Sequence, residues 1–140
     1  MKKILFLFLT ALIIGCGSTG GSDSPMNAVK DFVTAIKEGN YNKAWGQLNE
    51  KSKKFFENNS KARNSNGRDF FEKNCPDIKS LGILGNEFTI VDQKQDEDLA
   101  TVVIRTADGK TSDIFTEKEG GTWKLDYIKS VQESINPETQ

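Results

Sequence analysis

The hydrophobic period of the chain changes once, and that switch limits the fold more than any other feature. In the first half, Val29, Phe32, Val33 and Ile36 fall at i, i+3, i+4 and i+7, and Tyr41, Ala44, Trp45 and Leu48 repeat the helical spacing. From Phe88 onward apolar residues alternate instead. Phe88 and Ile90 flank Thr89; Ala100, Val102 and Ile104 flank Thr101 and Val103; Trp123, Leu125 and Tyr127 flank Lys124 and Asp126. Helices first and strands second predict an α+β domain, with N-terminal helices packed on one face of a curved antiparallel sheet.

Local signals place the boundaries. Ser24 can cap a helix that Pro25 opens, since proline at the first helical position has no N–H to leave unsatisfied. Gly39 ends that helix and Asn40 caps the next. Between Glu50 and Asn74 the pattern blurs; Phe70 and Phe71 predict a third, short helix that stops before Cys75-Pro76. A further strand contains Ile114 and Phe115, and the sequence leaves open which of them faces inward. Polar residues Gln93 to Asp98, Asp108-Gly109 and Gly120-Gly121 separate the strands, and the last two pairs read as two-residue hairpins. Four strands in a meander follow, with a frayed tail from Glu133.

The N-terminus has a different character. Lys2 and Lys3 precede an apolar run from Ile4 to Ile14, in the order of an export signal. Eleven helical residues would span only ~16 Å, about half of a bilayer's hydrocarbon core. The segment Ile13-Ile14-Gly15-Cys16 resembles the lipobox of bacterial lipoproteins, with Ile13 where leucine is commoner. That resemblance implies cleavage after Gly15 and acylation of Cys16, which would hold the protein on a membrane. Gly17 after the cysteine resembles the pattern sent to the outer membrane, so lipid-anchored residence in the cell envelope, on its periplasmic or surface side, is expected. Residues 1–15 then form the signal peptide, 16–24 a lipidated tether, 25–135 one domain and 136–140 a tail. The Gly/Ser-rich tether reads as flexible, with an r.m.s. span near ~16 Å.

Composition removes several functions. The chain has no histidine, which excludes Ser-His and Cys-His nucleophilic catalysis and His-ligated zinc. If Cys16 is acylated, Cys75 is left as a lone thiol, without a disulfide partner or a cysteine set for a metal. Without Lys2 and Lys3 there are 17 basic and 20 acidic residues, a net charge of −3. No excess suited to nucleic acid exists, and no cofactor is expected.

With its elements placed, the domain resembles the lipoprotein-associated DUF4878 group of NTF2-like, or cystatin-like, domains. The matching features are the Pro25-to-Ile36 helix, the Glu38-Gly39-Asn40-Tyr41 break, the Ala44-Trp45 helix, the strand Leu99-Ala100-Thr101-Val102-Val103-Ile104, and Gly120-Gly121-Thr122-Trp123-Lys124-Leu125-Asp126. The resemblance implies helices on the concave face of a curved sheet, in places enclosing a conical cavity. Such domains include enzymes and non-catalytic binders, so fold alone does not choose between them.

Candidate sites are few. Trp45, Phe70, Trp123 and Tyr127 could line a pocket or simply fill a core. Asp113 or Asp126, near Tyr127, could become basic through burial, although alternation turns Asp126 away from the apolar face. Asp96, Glu97 and Asp98 lack calcium-loop spacing and read as a charged hairpin tip. Lys51, Lys53, Lys54, Lys61, Arg63 and Arg68 make the middle of the chain locally basic, suiting a solvated loop or a weak attraction to anionic lipid head groups or cell-wall polymer. The expected function is a non-catalytic, lipid-anchored envelope domain binding a small molecule or an envelope protein. The alternatives are an enzyme with a carboxylate-centred pocket and a structural interaction protein with a filled core, presenting Val103 and Phe115 on its outer sheet face.

Overall fold

The computed structural model describes residues 20–74 and 87–135. Four helices come first: α1 (Pro25–Lys37), α2 (Tyr41–Gln47), α3 (Glu50–Lys61) and α4 (Gly67–Asn74). Four strands follow, β1 (Phe88–Asp96), β2 (Leu99–Thr106), β3 (Thr111–Glu119) and β4 (Thr122–Leu125), and then α5 (Tyr127–Ile135). The strands form one antiparallel sheet in the order β1-β2-β3-β4. This is the expected α+β arrangement, with the N-terminal helices packed on one face of an open sheet.

The helix caps follow the sequence signals. Ser24 Oγ accepts from Asn27 N at 3.2 Å, and Asn40 Oδ1 accepts from Lys43 N at 3.1 Å. Gly39 takes a φ of 67° at the end of α1. The residues from Glu50 onward form a full helix rather than a blurred connection. Its buried stripe is Ser52, Phe56 and Ser60, and only one of those three is apolar. Asn49 caps it, accepting from Ser52 N at 2.9 Å while its own amide donates to Glu117 Oε2 at 3.1 Å.

Alternation places the inner strand residues correctly. Ala100, Val102 and Ile104 are buried on β2, and Ile114, rather than Phe115, is buried on β3. The core joins Val102, Ile104 and Ile114 to Val29, Phe32, Leu48, Phe56, Phe71, Leu125 and Tyr127. At the Gly120-Gly121 turn both residues have positive φ, 58° and 85°, as a type I′ hairpin requires. The Asp108-Gly109 turn differs from the two-residue expectation. Thr106 O accepts from Gly109 N and Thr106 N donates to Lys110 O, both at 2.9 Å, and Gly109 alone of the pair takes positive φ. That is a three-residue loop closed by a glycine bulge.

Three further differences have physical causes. β1 runs on to Asp96 through residues that read as loop, because on the first strand of the sheet most of its second half is solvent-exposed and tolerates polar side chains. β4 ends at Leu125, so Tyr127 is not a strand residue but opens α5. The switch is made by caps: Asp126 Oδ1 accepts from Lys129 N at 3.0 Å, and Ser52 Oγ of α3 accepts from Tyr127 N at 3.0 Å and Ile128 N at 3.4 Å. Helix α5 also carries the chain in order to Ile135, beyond the point where fraying was expected.

The third difference lies at the N-terminus, where residues 20–24 are docked rather than free. Ser22 pairs with Trp123 through Ser22 N to Trp123 O at 2.9 Å and Trp123 N to Ser22 O at 2.8 Å. Ser22 Oγ lies 2.5 Å from the Asp31 carboxylate and 3.2 Å from Gln47 Oε1. Further along the same strand, Leu48 bridges Leu125 in parallel. Short pieces of chain therefore cover the outer edge of β4 at both ends.

Candidate functional site

The space between helices and sheet is filled with aromatic rings. Phe56 lies 5.1 Å from Phe71 and 5.5 Å from Tyr127, and Trp45 lies 5.7 Å from Phe71, measured between ring centroids. Phe70 joins the same group 6.4 Å from Phe56, with the Arg63 guanidinium 5.2 Å above its ring. Trp45, Phe70 and Tyr127 are thus gathered in one cluster. Trp123 is apart from them, against Ala28 and Ala100.

The carboxylates singled out in the sequence take structural places. Asp126 is buried as the cap of α5, while Asp113 sits half-buried on β3 opposite Val103. Asp96, Glu97 and Asp98 form the β1–β2 turn, where Glu97 takes a φ of 51°. Val103 and Phe115 are half-buried, and Phe115 carries the Lys129 ammonium 4.0 Å from its ring centre. Leu99 is the open apolar residue of that face, 55% exposed. Cys16 and Cys75 lie outside the described residues.

Open concavities lie at the periphery. One, of about 940 Å³, runs between α1 and β1 and includes Gln93, whose Oε1 is buried without a hydrogen-bond partner among the described residues. Another, of about 430 Å³, combines charge with an aromatic wall. It lies where α2, the start of α3 and the β3–β4 hairpin meet, bordered by Trp45, Gly46, Glu50, Lys53, Glu119 and Lys124.

Each charged side chain of this groove is positioned by a nameable contact. Lys124 stands on the strand face that alternation marks as polar, yet it is 4% exposed. Its stem runs beside Gly21, and its ammonium donates to Gly46 O at 2.9 Å. Burial pushes the Lys124 pKa below the usual lysine range, the Lys53 charge pushes it the same way, and Glu119 and Glu50 oppose both. Lys53 pairs with Glu50 at 3.4 Å. Both Glu119 oxygens accept from Glu50 N, at 3.1 and 3.2 Å, near the N-terminus of α3, where a carboxylate is favoured.

Sequence reasoning missed this site. Lys53 was visible in a basic run and Lys124 as an outward strand residue, but what joins them is the folding of residues 46–50 along β4, which leaves no periodic trace. The docked strip packs against two of its residues, Gly46 and Lys124. Thr122 Oγ1 donates to Gly20 O at 3.3 Å, and a Cβ on Gly20 would stand 2.3 Å from Gly46 O. A groove holding two ammonium and two carboxylate groups beside a tryptophan is suited to binding a polar, charged group.

Among curated proteins none matches the chain. The profile of DUF4878, a domain of unknown function, matches residues 15–126, and the chain belongs to that family.

Proposed function

We propose that this chain is a lipid-anchored domain of the cell envelope, attached through acylated Cys16 to the outer membrane, that works by binding a small molecule or an envelope protein rather than by catalysis. The observation that carries the binding half is the ring-filled interior. Phe32, Phe56, Phe71 and Tyr127 occupy the space where a reactive side chain would have to sit, which moves recognition to the surface grooves. Support for the anchored half is the order Lys2-Lys3, apolar run, Gly15-Cys16, together with a docked strip that starts four residues later. Two or more acyl chains are needed for stable attachment, and a lipobox cysteine is a site that can supply them.

The test is mass spectrometry of the mature N-terminus with membrane fractionation. Acylated Cys16 at the N-terminus, and a Cys16→Ser variant lost from the membrane fraction, are the expected results. An exported chain with unmodified Cys16, or with residues upstream of it, overturns the anchor.

A further inference from the structure

The Trp45–Lys53–Lys124 groove has three properties that together specify a ligand. Its position comes first. Gly20 packs on Gly46 and Gly21 lies against Lys124, so the docked strip touches two residues of the groove. Gly20 is four steps along the chain from Cys16, and at ~3.3–3.6 Å each these reach at most about 14 Å. Whatever path they take, an acylated Cys16 keeps the groove close to the head-group layer, where local lipid concentration makes even a weak site effective.

Charge comes second. Two ammonium groups, those of Lys53 and Lys124, border one small concavity and disfavour each other, and Lys124 is also withdrawn from water. Lys53 is held by Glu50 and Lys124 by Gly46 O, and an anionic oxygen between the two ammonium groups adds an attraction to both charges. The groove is not net positive, however, because Glu50 and Glu119 complete it. A purely anionic head group would meet both carboxylates without compensation, whereas a zwitterion satisfies the two signs at once.

Third is the kind of cation the carboxylates can take. Glu119 accepts from a backbone N–H and Glu50 from an ammonium, so both sit as hydrogen-bond acceptors and each oxygen has a second lone pair. A primary ammonium can donate to them and a quaternary one cannot.

Resting on the anchor proposed above, we propose that this groove holds the head group of a zwitterionic phospholipid bearing a primary amine, with its phosphate toward Lys53 and Lys124 and its ammonium toward Glu50 and Glu119. The groove thus fixes which face of the domain meets the bilayer.

The experiment uses the full lipidated chain in bilayers of equal parts phosphatidylethanolamine, phosphatidylcholine and phosphatidylglycerol. A photo-crosslinking p-benzoylphenylalanine replaces Asn42, an exposed residue on the groove's rim. Phosphatidylethanolamine is expected to be captured about fivefold more than either of the other two lipids, the factor one partly exposed ion pair supplies. Lys53→Met is expected to abolish the enrichment, and Glu119→Gln to shift capture toward phosphatidylglycerol. Lys124→Met repeats the test from the other wall, and an unchanged far-UV spectrum identifies folded variants. Equal capture of the three lipids overturns the proposal, as does enrichment that survives Lys53→Met, or capture of protein in place of lipid. Mass spectrometry of the same sample reads Cys16. Unmodified Cys16 removes the anchor and this proposal with it, whereas acylated Cys16 with unselective capture removes the groove assignment alone.

Discussion

Gly20 and Gly21 have φ values of 62° and 100°, a region that costs other residues about 1–2 kcal/mol. Gly20 is constrained twice, because a side chain there would collide with the Gly46 carbonyl. Gly20→Ala is therefore expected to release the strip and leave the core folded. Hydrogen exchange checks this: the Ser22 and Trp123 amides, which bond to each other's carbonyls, should lose protection while Val102 and Ile104 keep theirs. Retained protection at Ser22 would contradict the docked geometry. Nothing in the sequence distinguishes this Gly-Gly-Ser from a linker, since the residue that receives it, Thr122, is far along the chain. Lys124 gives a second prediction at this scale. Its pKa is depressed in the folded state, so between that value and 10.5 the unfolded chain binds more protons and stability rises with pH. The stability of the native chain relative to Lys124→Met should increase as pH climbs through that window, as read by urea denaturation. A difference independent of pH would mean that Lys124 keeps an ordinary environment.

Helix α3 shows why one element escaped the sequence and how it organises others. Helices α1 and α2 and the three alternating strands were legible because each buries an apolar stripe of the right period. Helix α3 buries Ser52, Phe56 and Ser60, so its inward face has one apolar residue per two turns and no hydrophobic periodicity to read. The serines are used for contact. Ser60 Oγ turns back to Glu57 O at 2.7 Å, and Ser52 Oγ receives the first two amides of α5. A helix start that takes its acceptor from another helix cannot be seen in its own sequence. For this reason Trp123-Lys124-Leu125-Asp126-Tyr127 read as continuous alternation although the strand stops at Leu125. Removing the acceptor should be costly: Ser52→Ala leaves the buried Tyr127 amide and the part-buried Ile128 amide without it, and a loss of about 1–3 kcal/mol is expected. The exposed Ser134→Ala should stay within about 0.5 kcal/mol. Equal losses in the two variants, measured by chemical denaturation, would remove Ser52 from its role.

For the molecule as a whole, the treatment of the sheet's β4 side connects fold to function. Four residues are a short strand, and β3 extends well past it. The chain compensates by placing Ser22 on Trp123, Leu48 on Leu125, and Asp126 N on Phe115 O at 2.9 Å, so backbone groups left by the short strand are occupied. One result is that the N-terminal strip belongs to the sheet. A lipid on Cys16 would then act on the domain through the three residues Gly17 to Thr19 instead of the eight to Ser24, with a reach of about 14 Å from Cys16 to Gly20. Inserting eight Gly/Ser residues between Cys16 and Gly20 should leave the melting temperature unchanged, because no docked contact is touched. It should also allow the domain to move up to about 27 Å farther from the bilayer. In a Lys53→Met background, where the groove no longer holds a head group, energy transfer from a fluorophore at Lys43, exposed on α2, to an acceptor in the head-group layer should fall accordingly. Gly20→Ala at the original length should give a smaller fall, since freeing residues 20–23 lengthens the connection by about half as much. If the insertion leaves transfer unaltered in that background, contacts other than the proposed anchor at Cys16 and the groove hold the domain at the membrane.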